Sequence, residues 1–173
     1  MSKTKNLTLS GLFLALGIIL PFFTGQIPEI GGMLLPMHIP VLLCGFVCGP
    51  QSGLIVGFIT PLLRSMMFGM PPLLPKALTM AFELAVYGWM SGSLYRKLPK
   101  NAVAIYLSLI ISMVAGRVVW GLVSVPIYGM SGTVFSLQLF WAGAFLEAIP
   151  GMILQLILIP LIIMGLKKAR VVF

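Results

Sequence analysis

The sequence predicts an all-α integral membrane protein: a bundle of six transmembrane helices with both termini cytoplasmic, forming a single domain over residues 1–173. The first observation is the composition, which is 60% hydrophobic and only 8% charged, with a mean hydropathy of +1.12. A soluble domain carries about 25% charged residues. The second observation is a succession of six apolar runs, and the third is the placement of basic residues beside those runs.

Gly, Pro and basic residues separate the six apolar runs from one another. A transmembrane helix needs about 20 mainly apolar residues, so the second run is short. The last run is long enough for a tilted or kinked helix, with Pro150 and Pro160 as candidate kink sites. The expected spans cover residues 7–23, 37–49, 53–68, 76–94, 102–126 and 137–165.

Basic residues next to the spans predict the orientation. With the amino terminus inside, the cytoplasmic segments hold most of the positive charge, as the positive-inside rule requires. An odd number of spans would place one basic cluster outside, so six spans fit best. Because these clusters flank apolar runs, the net charge of +8 indicates membrane topology rather than nucleic-acid binding. The cytoplasmic basic residues are Lys3, Lys5, Arg96, Lys97, Lys100, Lys167, Lys168 and Arg170.

Four ionisable residues lie within the predicted spans: Arg64, Glu83, Arg117 and Glu147. A charge at the centre of a membrane helix costs about 2.5–3.5 kcal/mol, so each one needs a partner or a function. When each span is followed in its predicted direction, all four residues fall in the outer half of the bilayer. We expect them to line a polar chamber that is open to the outside and binds a polar solute. The alternative is that they only neutralise one another and hold the bundle together.

Residues at helical spacing extend these four positions into stripes, which we expect to form the walls of the chamber. Gly143 and Gly151, on the face of Glu147, would also let a neighbouring helix approach closely. The stripes are Gly53, Gly57, Thr60 and Arg64; Lys76, Met80, Glu83 and Tyr87; Arg117, Trp120 and Ser124; and Gly143, Glu147 and Gly151.

The side chains near these charges suggest how a solute would be held. Two arginines suit a carboxylate or a phosphate, because guanidinium offers a planar bidentate fork. His38 opens the second span, where a hydrogen bond to substrate or loop and a structural role both remain open. A lone histidine does not make a metal site, so we expect no metal and no cofactor. Trp120 and Tyr128 are further candidates for substrate contact, the alternative being a place in the aromatic belt.

No catalytic motif accompanies these charges. The chain has no Asp and no GxSxG, HExxH or Walker-type phosphate loop. We therefore expect a protein that is not an enzyme and does not hydrolyse ATP by itself.

The first span carries two small residues four positions apart, Gly11 and Ala15. Such a pair lets two helices approach closely. Packing within the bundle and docking of a partner protein are both open at this point.

One long segment is similar to a known family. The stretch LLPMHIPVLLCGFVCGPQSGLIVGFITPLLRSMMFGMPP, followed by ALTMAFELAVYG, resembles the substrate-binding S components of energy-coupling factor (ECF) vitamin transporters, most of all the pantothenate-type branch. The resemblance implies a multi-pass protein of a bacterial cell membrane that binds a vitamin near the extracellular face. It also implies association with a membrane-embedded coupling protein (the T component) and two cytoplasmic ATPases. Gly11 and Ala15 match the family's docking motif, which is usually Ala-x-x-x-Ala, and residues 25–36 resemble the lid over the binding site.

The expectation that results is a substrate-capturing subunit of an ECF importer, with pantothenate as the first choice of substrate. Arg64 or Arg117 would take its carboxylate, while Glu83 and Glu147 would accept hydroxyl protons or orient the arginines. Pyridoxine, a thiamine precursor or a deazaguanine are alternative substrates. A self-contained proton-coupled carrier, in which Glu83 or Glu147 titrates, and a structural membrane scaffold are the alternative functions.

Overall fold

The computed structural model describes residues 2–24, 33–130, 136–146 and 148–169, and within them the chain is all-helical without a strand. A 3-10 turn follows the first helix, and short π-helical segments precede the fourth helix and follow the sixth. The helices are α1 (Lys3–Ile19), α2 (His38–Cys48), α3 (Pro50–Phe68), α4 (Leu78–Lys97), α5 (Ala102–Met130), α6 (Leu137–Trp141) and α7 (Ile149–Lys168).

The short helix α2 forms the centre of the bundle. All of its 11 residues are buried, and it packs against α1, α3, α4 and α7. At a rise of 1.5 Å per residue it is about 16 Å long, well below the roughly 30 Å of a bilayer core. Its apolar side chains therefore lie against other helices rather than lipid.

Glycine contacts bring α3 and α4 very close together. A Cβ atom at Gly53 would lie 2.7 Å from the carbonyl carbon of Gly88, and one at Gly57 would lie 2.5 Å from the carbonyl carbon of Leu84. Small residues are what permits such approach between membrane helices. The expected stripe of α3 is thus a helix–helix contact and not a chamber wall, which corrects that prediction for Gly53 and Gly57.

A tight turn joins α2 to α3 at Gly49, whose φ of 98° suits glycine. Side chains from two neighbouring helices form hydrogen bonds with this turn. Asn6 of α1 donates its side-chain amide to the Cys48 carbonyl at 3.3 Å, and Arg96 of α4 donates to the same oxygen at 3.4 Å. The amino-terminal end of α1 and the carboxyl-terminal end of α4 therefore meet at one end of the bundle.

Large apolar side chains cover the outside of the bundle, for example Leu7, Leu122 and Leu161 on α1, α5 and α7. Such a surface is matched by lipid rather than water. Among the described residues, three helical segments are long and apolar enough to cross a membrane: Lys3–Phe23, Ala102–Met130 and Ile149–Lys168. The structure is therefore that of an all-α membrane protein.

Several predicted span limits differ from the helices by a few residues, and two of the differences involve proline. The sixth expected span is divided into α6 and α7, and Pro150 lies in the first turn of α7, where a missing N–H costs nothing. Helix α5 continues past Pro126 to Met130, because proline removes only one hydrogen bond, and neighbouring groups compensate for it in membrane helices.

Candidate functional site

Four buried polar side chains meet between three helices, and we call them the polar cluster: His38 of α2, Glu83 and Tyr87 of α4, and Arg117 of α5. Arg117 Nη1 lies 3.0 Å from Glu83 Oε1, and His38 Nε2 lies 3.5 Å from the same oxygen. The His38 and Tyr87 rings are in edge contact, with centroids 5.2 Å apart. All four residues are at most 4% exposed, so the ion pair is held away from solvent.

Helix α5 reaches this position through Gly116. A Cβ atom there would collide with the Tyr87 ring and lie 3.2 Å from the Glu83 carbonyl oxygen. Only glycine allows α5 to lie against α4 at this level. Gly116 therefore places the neighbouring Arg117 beside Glu83.

The guanidinium group of Arg117 is only partly used. Its Nη1 faces Glu83, while Nε and Nη2 are buried and have no hydrogen-bond partner among the described residues. These two nitrogens form one edge of the planar guanidinium and donate in parallel, which matches a carboxylate. His38 Nδ1 is likewise buried without a hydrogen-bond partner there, and the Tyr87 hydroxyl lies close to both Glu83 and Arg117. Buried polar groups are usually paired, so these nitrogen atoms of Arg117 and His38 are the polar groups of the cluster with capacity for further hydrogen bonds.

Arg64 lies elsewhere, although its predicted depth resembles that of Arg117. Its Nη1 donates to the Ile18 carbonyl at 2.6 Å. Its guanidinium carbon lies 4.9 Å from the centroid of the Phe22 ring and 5.7 Å from that of the Phe68 ring. The last carbonyls of a helix lack intrahelical partners, and Arg64 satisfies one of them at the end of α1. Arg64 of α3 therefore contacts the end of α1 and the turn that follows it.

Three other predicted residues are less deeply buried than the polar cluster: Trp120, Tyr128 and Lys76. Trp120 is half-buried and stacks on Phe140 at a centroid distance of 6.2 Å, and Tyr128 is half-buried near the end of α5. Lys76, at the start of the α4 stripe, is exposed. Glu147 lies outside the described residues.

Two further buried residues carry polar groups: Ser124, from the predicted stripe of Arg117, and Gln155, which the sequence pattern did not single out. Ser124, two turns beyond Arg117 on α5, has a buried hydroxyl without a partner among the described residues. Gln155 of α7 is fully buried, and its side-chain Nε2 and Oε1 also have no hydrogen-bond partner among the described residues. Gln155 shares a helical face with Gly151, which approaches the chain at Met33 and Leu35, just before α2. In the sequence, the one feature that could have indicated Gln155 is that it is a lone amide side chain in an otherwise apolar run.

An all-helical, apolar bundle with a buried ion pair at its centre defines a class, the integral membrane proteins with an all-α fold. A comparison with known protein families identifies one family within that class. Residues 5–163 match the family described as ECF transporter, substrate-specific component, so the chain belongs to this family. It is a substrate-binding membrane subunit of an ECF transporter, a transporter subunit rather than an enzyme, and such subunits work with a T component and ATPases. No curated protein and no solved structure matches the chain significantly.

Proposed function

We propose that the polar cluster is the substrate site, and that it binds a vitamin or vitamin precursor with a carboxylate group. The observation that carries the proposal is the unpaired Nε/Nη2 edge of Arg117. Glu83 holds the opposite side of the guanidinium through Nη1, so the fork is oriented before a ligand arrives. Orientation in advance reduces the entropy lost on binding.

Pantothenate remains the first choice within that class, because it combines one carboxylate with hydroxyls and an amide. The carboxylate would pair with the Arg117 edge, while His38 Nδ1 and the Tyr87 hydroxyl supply the additional polar contacts. Arg64 is left out of this proposal since it already donates to the Ile18 carbonyl. A neutral ligand such as pyridoxine has no carboxylate to pair with the Nε/Nη2 edge of Arg117.

We also propose that the bundle crosses a bacterial cell membrane six times, with both termini inside. Two contacts support it, because they bring basic segments together at one end of the bundle. Arg96 reaches the turn after Cys48, and Lys167 Nζ donates to the Lys100 carbonyl at 2.8 Å. Basic residues concentrated at one end are typical of the cytoplasmic side.

The proton-coupled alternative is less well supported by the geometry. Glu83 is 3.0 Å from Arg117, and neutralising one member of a buried ion pair leaves the other charge buried without its partner. A carboxylate held in this way is a poor proton carrier. The polar cluster therefore favours ligand capture, with the energy supplied by another chain.

A thermal-shift panel of purified protein against vitamins and precursors tests the substrate proposal. Carboxylate-bearing compounds are expected to raise the unfolding temperature, and their neutral amides or alcohols are expected to have little effect. Stabilisation confined to compounds without a carboxylate would contradict the assignment. Uptake by reconstituted transporter should require the ATPases and persist after the proton gradient is collapsed.

We also propose that α1 docks on the T component through Gly11 and Ala15. Both are exposed, and a Cβ atom added at Gly11 would meet nothing within 4 Å. By contrast, Gly17 faces inward, where an added Cβ would lie 2.7 Å from Thr60. The bundle thus uses Gly17 for its own packing and leaves the Gly11 face open.

Leucine at Gly11 or Ala15 is expected to abolish association with the T component while leaving vitamin affinity unchanged, because the added side chain lies outside the bundle. Co-purification and calorimetry measure the two properties. Gly165→Leu is the matched control, since Gly165 also has open space around it but lies on α7. Association that survives both α1 changes would show that docking occurs elsewhere.

A further inference from the structure

Helices α4 and α7 lie on either side of α2 and α5, and together the four helices form a ring. Each of α4 and α7 packs against both α2 and α5. Three of the four helices supply the polar cluster, in which Glu83 lies against Arg117 and His38. The fourth helix, α7, supplies Gln155, which is fully buried. Gln155 therefore reaches the ring from the side opposite α4.

Gln155 lies at about the same depth as His38. A Cβ atom added at Gly151 on α7 would lie 2.9 Å from the carbonyl carbon of Leu34, just before α2. Four residues, or about 6 Å of helix, lead from Gly151 to Gln155, and four residues lead from Leu34 to His38. Because α2 and α7 both run inward in the proposed topology, the two side chains lie at a similar level.

Both of these side chains have hydrogen-bonding capacity that the bundle does not use. Neither Nε2 nor Oε1 of Gln155 has a hydrogen-bond partner in the part of the chain that the structure describes, and the same holds for His38 Nδ1. His38 Nε2 faces the Glu83 carboxylate at 3.5 Å, and a carboxylate accepts hydrogen bonds. A neutral histidine has one N–H group, which this contact places on Nε2, so Nδ1 is an acceptor. The pair thus offers an amide donor on α7 and a ring acceptor on α2.

We propose that Gln155 and His38 bind an amide group of the substrate between α7 and α2, so that the substrate is an N-acyl amino acid. Gln155 Nε2 would donate to the amide carbonyl, and the amide N–H would donate to His38 Nδ1. These two groups of a trans amide point in opposite directions, as a ligand between two helices requires. The inference rests on the proposed function, because the carboxylate of the same ligand occupies the Arg117 edge. Arg117 and His38 both contact Oε1 of Glu83, so a short chain must join the amide to the carboxylate, as it does in pantothenate.

Calorimetric titration of pantothenate into the wild type, Gln155→Met and Ile159→Met tests the role of Gln155. Methionine has nearly the volume of glutamine but no amide, so we expect Gln155→Met to lose about tenfold in affinity, the value of one net hydrogen bond. Ile159→Met is the matched control and should leave the affinity unchanged, because Ile159 is fully buried one turn further along the same face of α7. For the wild type, the ester analogue with oxygen in place of the amide N–H is expected to bind about tenfold more weakly than pantothenate.

The stability of the ligand-free protein distinguishes a ligand contact from a structural role. Replacing an amide that has no partner in the bundle removes no internal hydrogen bond, so Gln155→Met should unfold at the same temperature as the wild type or at a higher one. A lower unfolding temperature, or a failure to fold, would show that the amide is used within the bundle and would overturn the proposal.

The binding results also separate this inference from the proposed function. An affinity that falls in Arg117→Lys but is unchanged in Gln155→Met would overturn the inference alone, and so would a panel in which only carboxylate vitamins without an amide bind. Equal affinities for pantothenate and its ester would overturn the contact with His38. If only a vitamin without a carboxylate binds, and Gln155→Met weakens that binding, the carboxylate site and the substrate class fail while Gln155 remains a ligand contact.

Discussion

Arg117→Met is expected to destabilise the protein by about 3–5 kcal/mol, because it leaves the Glu83 carboxylate buried without its charged partner. Glu83 is 1% exposed, so water does not replace the lost contact. His38 remains 3.5 Å from the carboxylate but is a weaker partner than a guanidinium. Reversible unfolding in mixed micelles measures the difference.

The double variant Glu83→Leu/Arg117→Met makes this prediction specific to the ion pair. Replacing both members of a buried pair by apolar residues is often neutral, so the double variant should recover most of the stability lost in Arg117→Met. Arg64→Met serves as a control, because Arg64 has a carbonyl rather than a carboxylate as its partner. A double variant no more stable than the single one would mean that the two charges are not coupled.

Gly88→Ala is expected to cost about 3 kcal/mol, the upper end of the range for overpacked cores. The new methyl group would lie 2.8 Å or less from the backbone of Gly53 on α3. A backbone cannot rotate away as a side chain can, so α3 and α4 must separate. Since α4 carries Glu83 and Tyr87, vitamin affinity should fall together with stability.

Gly165→Ala is the matched control for this change, because its added methyl would meet nothing within 4 Å. Alanine has the higher helix propensity, so this variant should be as stable as the wild type or slightly more stable. Thermal unfolding of the two variants side by side gives the comparison. Equal effects at both positions would contradict the close α3–α4 contact.

Residue type and depth predicted that four charges converge on one chamber, because a buried charge needs a partner, and the structure pairs two of them, Glu83 and Arg117. The same argument placed Arg64 in the chamber, and the structure instead directs it to α1. Depth along a span does not reveal which face a side chain occupies or which helix end lacks a hydrogen bond. The carbonyl of Ile18 became a partner only through the packing of α1 on α3.

The small residues of α1 show the same limit. Gly11, Ala15 and Gly17 are alike in sequence, and only the packing of α1 on Thr60 separates the inward glycine from the outward pair. His38 was also left undecided, because its contact with Glu83 joins residues 45 positions apart. The family match agrees with the predicted class of protein and leaves the substrate to be determined.

Calorimetric titration of the best vitamin from the panel into the wild type, Arg117→Lys and Arg64→Lys tests the central claim most directly. Lysine keeps the charge beside Glu83 but lacks the bidentate fork. We predict an affinity loss of about 10- to 100-fold for Arg117→Lys, the value of a charged hydrogen bond, and a nearly unchanged affinity for Arg64→Lys. The reverse result, with affinity lost at Arg64 and retained at Arg117, would show that the ligand does not bind at the polar cluster.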